Sequence, residues 1–316
     1  MINFILLLVI YIGIYAILAL GLNIVVGYGG MLSLCQAAFF AIGAYTTAIL
    51  MSRGDVNFWV ILLLSGLLAT VLGFVIGLPT LRLRGDYLAI ATLGFAEITR
   101  NAILNWDNLT RGPMGITGIP RIEIFGFELN PIEKVSYVVM VWVFVAVTYL
   151  ILRRITRSRL GRALEAIRED EVAAFAMGIN ITKYKVFAFA LASFFGGIAG
   201  TFWSAYNQSV SPATFTFMLS VMILCMVVLG GMGNHHGAIL GAVLITVAGE
   251  FPRLMGFSSV VPPQFKQIIF GLILVSMMVF RPQGILGRKK IDFGRLARRQ
   301  AARGGGGDAT ATGGAS

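Results

Sequence analysis

Charge is the scarcest commodity in this sequence: no Asp, Glu, Lys or Arg occurs before Arg53, and charged residues make up 12% of the chain against 57% hydrophobic ones. Soluble domains carry about twice that share of charge, so a soluble globular protein is excluded. The uncharged start also lacks the basic n-region of a secretory signal, and the first apolar run reads as a retained span. There are two cysteines, Cys35 and Cys225, both inside apolar runs, and two histidines, the adjacent His235 and His236. Neither pair offers a disulfide framework or a metal spacing, because neighbouring histidines fall on opposite sides of any regular helix. No metal site is expected. A Gly-x-x-x-x-Gly-Lys-Ser/Thr phosphate loop, a nucleophile elbow and a His-Glu-x-x-His helix are all missing from the 316 residues. Hence no catalysis and no cofactor are expected within this chain, and any ATP that drives it must be hydrolysed by another polypeptide.

What remains is apolar length. A crossing takes about 20 mostly apolar residues, leaving room for roughly eight to ten spans and no large soluble domain. Breaks at Gly, Pro and charge predict spans near 4–26, 31–51, 58–78, 87–105, 135–152, 186–206, 215–231, 237–251 and 265–280. The runs 215–231 and 237–251 are short enough to be half-spans. The predicted class is all-α: a polytopic membrane domain over 1–290, then a basic and finally Gly-rich tail over 291–316 that reads as disordered.

The formal net charge of +11 does not point to nucleic acid, because the cations flank apolar spans with no stacking aromatics between them. Arg82 and Arg84, the loop 153–185 with eight Lys and Arg, and the tail from Arg281 to Arg303 with eight more hold 18 of the 25 basic residues. Alternating sides at each span puts all three clusters on one face, which the positive-inside rule makes cytoplasmic. The amino terminus and the Gly- and Pro-rich segment 106–133 then face outside, and that segment is the natural receiving surface for an extracytoplasmic partner.

Inside the spans, Glu97 and Arg100 share a helix face three residues apart. Intramembrane charge commonly lines a substrate path, but the pair could equally fasten two helices. Glu250, beside Pro252 and Arg253, reads as interfacial. Two Gly-rich, polar interruptions are similar to each other: Gly29-Gly30-Met31-Leu32-Ser33-Leu34-Cys35-Gln36 and Gly230-Gly231-Met232-Gly233-Asn234-His235-His236. Paired interruptions in transporters mark pathways where unwound backbone ligates substrate. Ser33 and Gln36, on one face of a helix, would line a polar cavity, although small polar residues also glue helices together.

The long charged segment Arg153 to Lys185 contains a short helix with its own start and stop. Asp170 is placed to N-cap it, Glu169 and Glu171 sit against its positive end, and Gly178 supplies the left-handed residue that ends it. Residues 171–177 therefore form a helix, and Val172, Ala173, Ala174, Phe175 and Met177 make it too apolar for a free surface. A charge at Ala174 would be expected to land in whatever contact covers this knob. Ala173-Ala174 followed four residues on by Gly178 resembles the coupling-loop motif of permease subunits of ATP-binding-cassette importers, with Val172 standing where that motif has Glu.

The resemblance extends along the chain. GYGGMLSLCQAAFFAIGAY (27–45), LPTLRLRGDYLAIATLGFAEITRNAILNWDNLTRGPMGI (78–116), SRLGRALEAIREDEVAAFAMGINITKYKVFAFALASFFGGIAG (158–200), VVLGGMGNHHGAILGAVL (227–244) and FRPQGILGRK (280–289) are similar to the M-type permease subunits of branched-chain amino acid importers. That likeness implies a bacterial inner-membrane protein paired with a homologous H-type permease. It further implies two cytoplasmic ATPase subunits docking on the 171–177 helix and an extracytoplasmic binding protein delivering leucine, isoleucine, valine or a related small amino acid or amide. The residues by themselves leave open a stand-alone secondary carrier or channel, for which the scarcity of buried carboxylates argues against proton coupling.

Overall fold

The computed structural model describes residues 2–54, 56–80, 83, 85–120, 123–124, 127–128, 134–254, 271–272 and 284–286. The expected span 265–280, apart from 271–272, and the tail 291–316 lie outside the described residues. The protein is a mostly helical, polytopic membrane protein. The helices are α1 (Ile2–Asn23), α2 (Gln36–Arg53), α3 (Phe58–Thr80), α4 (Asp86–Asn105), α5 (Asp107–Thr110), α6 (Lys134–Thr156), α7 (Arg159–Glu169), α8 (Glu171–Ala176), α9 (Ile181–Asn207), α10 (Phe217–Gly230) and α11 (His235–Leu254). Four of these segments are long and apolar enough to cross a bilayer by length and composition: Asn3–Tyr28, Phe58–Pro79, Val135–Thr156 and Ile181–Asn207.

The centre of the bundle is α9, which packs against α1, α2 and α3. Small residues make this possible. Gly43 of α2 lies against the Gly197 backbone, Gly200 faces the backbone of Phe40 and Ala44, and Gly197 faces Ser65 and Ala69 of α3. Without water to drive apolar surfaces together, backbones that approach this closely gain dispersion contacts along the whole crossing. Asn180 caps the start of α9 by accepting from Lys183 N, and Gln208, with φ 54°, ends it.

Two spans depart from the apolar pattern. The expected span 31–51 is helical only from Gln36, because Met31–Cys35 is non-helical. Gly30 with φ 65° turns the chain there, and a five-residue π-helical turn at Ile24–Tyr28 precedes it. In place of helical partners, Leu34 N donates to Thr92 Oγ1 at 3.0 Å and Ala37 N to Ser220 Oγ at 3.0 Å. The second is α10, whose 14 residues rise about 21 Å, short of a core about 30 Å thick. α11, by contrast, is 20 residues long.

The two ends of the bundle are distinct. At one, strands β1 (Ile116–Thr117) and β4 (Ser209–Val210) pair antiparallel, tying the loop after α4 to the turn after α9. A second small pair joins β2 (Glu123–Ile124) to β3 (Phe127–Glu128), so the chain is not purely helical. At the other end lie α7, α8, both Gly-rich interruptions and residues 284–286, where Ile285 N and Leu286 N donate to the carbonyls of Leu229 and Gly230. The loop 153–180 and residues 284–286 thus share an end.

Candidate functional site

α8 is rigid for its size. Asp170 Oδ1 accepts from Val172 N at 2.8 Å and Ala173 N at 3.0 Å, so one side chain satisfies two of the amides a helix start leaves open. Its stop is equally specified: Gly178, at φ 80°, donates to Phe175 O, and Ile179 N donates to Ala174 O. The helix covers 171–176 with Met177 as its C-cap, one residue shorter than the sequence suggests. Val172, Phe175 and Met177 are 65%, 71% and 83% exposed, whereas Ala174 is 4% exposed. Ala174 therefore packs into its own subunit, and a charge there would disturb the loop rather than an external contact. Ala173 is on the open side.

Support for α8 comes from below. α7, capped by Ser158 Oγ accepting from Leu160 N, buries Gly161, Ala163, Leu164 and Ile167 and leaves its charges outward. Lys185 at the start of α9 donates to Glu171 Oε1 at 2.7 Å, with 5% of the lysine side chain and 24% of the glutamate exposed. An ammonium so deeply buried needs a partner, which locks the first turn of α8 to α9. Nothing in the sequence distinguishes Lys185 from the other cations of this loop.

The two Gly-rich interruptions meet in space. Gly233 N donates to Asn23 Oδ1 at 3.0 Å, and any Cβ on Gly27 would strike the same two groups. His235 stacks on Tyr28 with ring centroids 5.2 Å apart and shares a hydrogen bond with Thr156. His236 pairs with Tyr149 at 2.9 Å. Both histidines therefore serve to seat the second interruption against α6. Among the described residues no group of three His, Cys, Asp or Glu is placed to hold a metal.

Ser33 and Gln36 do not share a helical face, since Ser33 belongs to the non-helical stretch and Gln36 opens α2. Both are buried. Ser33 Oγ lies 3.2 Å from Cys35 Sγ, and Gln36 Nε2 donates to the carbonyls of Leu18 and Ala192 at 3.5 and 3.3 Å. The link runs across three helices, so within this chain Gln36 acts as glue.

Glu97 and Arg100 form an ion pair at 3.0 Å, with 37% and 30% of their side chains exposed. The pair lies within α4, so it does not fasten two helices. Glu97 stands about 17 Å along α4 from Asp86, midway along the helix. Glu250, near the end of α11, is half-buried.

Comparison with known proteins shows what the chain is similar to. The family model described as branched-chain amino acid transport system / permease component matches residues 4–278. The high-affinity branched-chain amino acid transport system permease protein LivM of Salmonella typhimurium is 42% identical over 294 residues, covering 86% of this chain and 68% of the relative. LivM of Escherichia coli strain K12 is 41% identical over the same shares. The permease protein LivH of the Salmonella system is 23% identical over 300 residues, covering 88% of this chain and 92% of the relative. No solved structure matches the chain significantly.

Proposed function

The chain belongs to the branched-chain amino acid transport permease family and is a permease subunit of an ATP-binding-cassette importer, and from that premise we propose how it is built into one. It forms half of a path for branched-chain or related small amino acids or amides, the other half coming from an H-type permease. Two separate ATPases drive it through α8. An extracytoplasmic binding protein supplies substrate at the end marked by the β1–β4 pair. The end carrying α7 and α8 faces the cytoplasm across a bacterial inner membrane, as the basic clusters favour.

One observation carries the ATPase docking. A helix of six residues is capped at both ends and ion-paired beneath, yet it turns three large apolar side chains outward at an end of the bundle rich in charge. An exposed apolar patch rimmed by polar residues marks an interaction site, and covering it with a partner's cleft would stabilise it. The Glu97 and Arg100 face of α4 supports the second half of the proposal, since a polar path lined by two permeases removes the cost of holding charge against lipid.

The test is purification. The chain is co-expressed with two ATPases, a second permease and a binding protein of a branched-chain amino acid importer, extracted through a tag on this subunit, and reconstituted in proteoliposomes. ATPase should be retained in stoichiometric amounts, and uptake of leucine, isoleucine or valine should need both ATP and the binding protein. Uptake that proceeds with neither would replace the importer by a stand-alone carrier or channel.

A further inference from the structure

We propose that Arg168 is the positioning residue through which movement of α8 reaches the non-helical break between α1 and α2. The inference rests on the importer reading, in which an ATPase acts on α8. Arg168 lies in the last turn of α7, and Asp170 is at once the C-cap of α7 and the N-cap of α8. Shared through that one residue, with Leu164 and Ile167 buried beneath, the two short helices move as a single lever.

From this lever the Arg168 side chain, exposed as a residue, reaches across to the end of α1. Its Nη1 donates to the carbonyl of Gly27, in the π-helical turn that ends α1. Helix ends leave such carbonyls without intrahelical partners and carry partial negative charge, so a guanidinium fits there chemically. The same side chain runs between the two Gly-rich interruptions. A Cβ on Gly30 would stand 2.7 Å from Arg168 Cγ, and one on Gly233 would stand 3.3 Å from Nη1. Both glycines have positive φ, at 65° and 79°, so backbone conformation and lack of a side chain together open the channel that Arg168 fills.

Consequences for the pathway follow from chain direction. Gly27 to Gly30 leads straight into Met31–Cys35, the non-helical stretch that holds Ser33 and sets the start of α2 at Gln36. Gly233 opens toward α11, and Asn23 bridges the two interruptions. The Arg168 side chain thus lies against both interruptions, at Gly27 and Gly30 after α1 and at Gly233 after α10. Displacing α8 must either carry Gly27 with it, moving the break, or break this bond, releasing it; both outcomes change the break between α1 and α2. An always-charged, planar and long side chain suits that task, whereas lysine would present a single shorter point charge.

The experiment uses the full importer complex in proteoliposomes with its binding protein, comparing wild type, Arg168→Ala and Arg168→Lys. Three quantities are read: ATPase retained per permease, ATP hydrolysis, and substrate taken up per ATP hydrolysed. The expected result is normal ATPase retention and continued hydrolysis in Arg168→Ala, with uptake per ATP reduced about tenfold, the factor carried by one charge-assisted hydrogen bond. Arg168→Lys should recover part of the loss. A merely structural role would lower the amount of complex without changing uptake per ATP. An unchanged ratio in Arg168→Ala overturns the proposal, as does failure of both variants to assemble. A wild type that retains no ATPase overturns the importer reading, and this linkage with it.

Discussion

Truncating the apolar face of α8 is the most direct perturbation of the docking contact. Val172, Phe175 and Met177 are 65%, 71% and 83% exposed, and fully burying a large apolar side chain is worth about 1.5–3 kcal/mol. Scaling by the surface still open leaves about 1–2.5 kcal/mol for each side chain that a cleft covers, or about 3–6 kcal/mol for the three. Translational and rotational costs of association are the same for wild type and variant, so they cancel in the difference. Replacing all three by Ala should therefore weaken ATPase binding by roughly two to four decades, and Phe175→Ala alone by about one. Asp170 and Gly178 stay in place, so the caps and the helix survive. The assay is equilibrium binding of purified ATPase to the permease pair in nanodiscs, with Leu63→Ala on the outer face of α3 as the control, since Leu63 is also exposed. A triple variant that binds within about threefold of wild type, less than 1 kcal/mol, would refute the assignment of this face to the ATPase.

Removing Glu171 while Lys185 stays should destabilise the loop by about 1–2 kcal/mol, below the usual 3–5 for a buried pair because the glutamate is partly solvated. The double variant Glu171→Gln, Lys185→Met should recover most of the loss, read as thermal stability in detergent; no recovery would mean the pair is not coupled. Gly43→Leu should abolish folded protein, because its side chain would collide with the Gly197 backbone, whereas Gly94→Ala, with nothing within 4 Å of its added methyl, should be tolerated or raise stability. Fluorescence-detected gel filtration after heating distinguishes the two, and equal behaviour would contradict the α2 and α9 crossing. Glu97→Gln should impair uptake at normal abundance, and normal uptake would remove Glu97 from the path. Single cysteines at Asn108, Arg159 and Ala301 in a cysteine-free background should react with an impermeant maleimide in intact cells only at Asn108; the reverse pattern would invert the topology.

Local signals in the sequence determine a good deal of this protein. Uninterrupted apolar runs define the long helices, since a chain in lipid must satisfy its backbone within each segment. Asp170 and Gly178 set both ends of α8, and the acidic and apolar residues between them mark it as a contact surface. These features act over a few residues and need no partner from elsewhere. Tertiary structure alone decides which faces are used. Ala173 and Ala174 are identical in sequence, yet one is open and the other buried, because α8 lies on α7 and α9. Met31–Cys35 is apolar enough for a helix, yet Leu34 gives its amide to Thr92, and Ala37 just beyond it gives its own to Ser220, contacts that exist only with α4 and α10 in place. Asn23 meets Gly233 across 210 residues, and Arg168 meets Gly27 across 141. In the sequence Arg168 is one cation among many, and its distinct placement arises because packing brings Gly30 and Gly233, which have no side chain, against it.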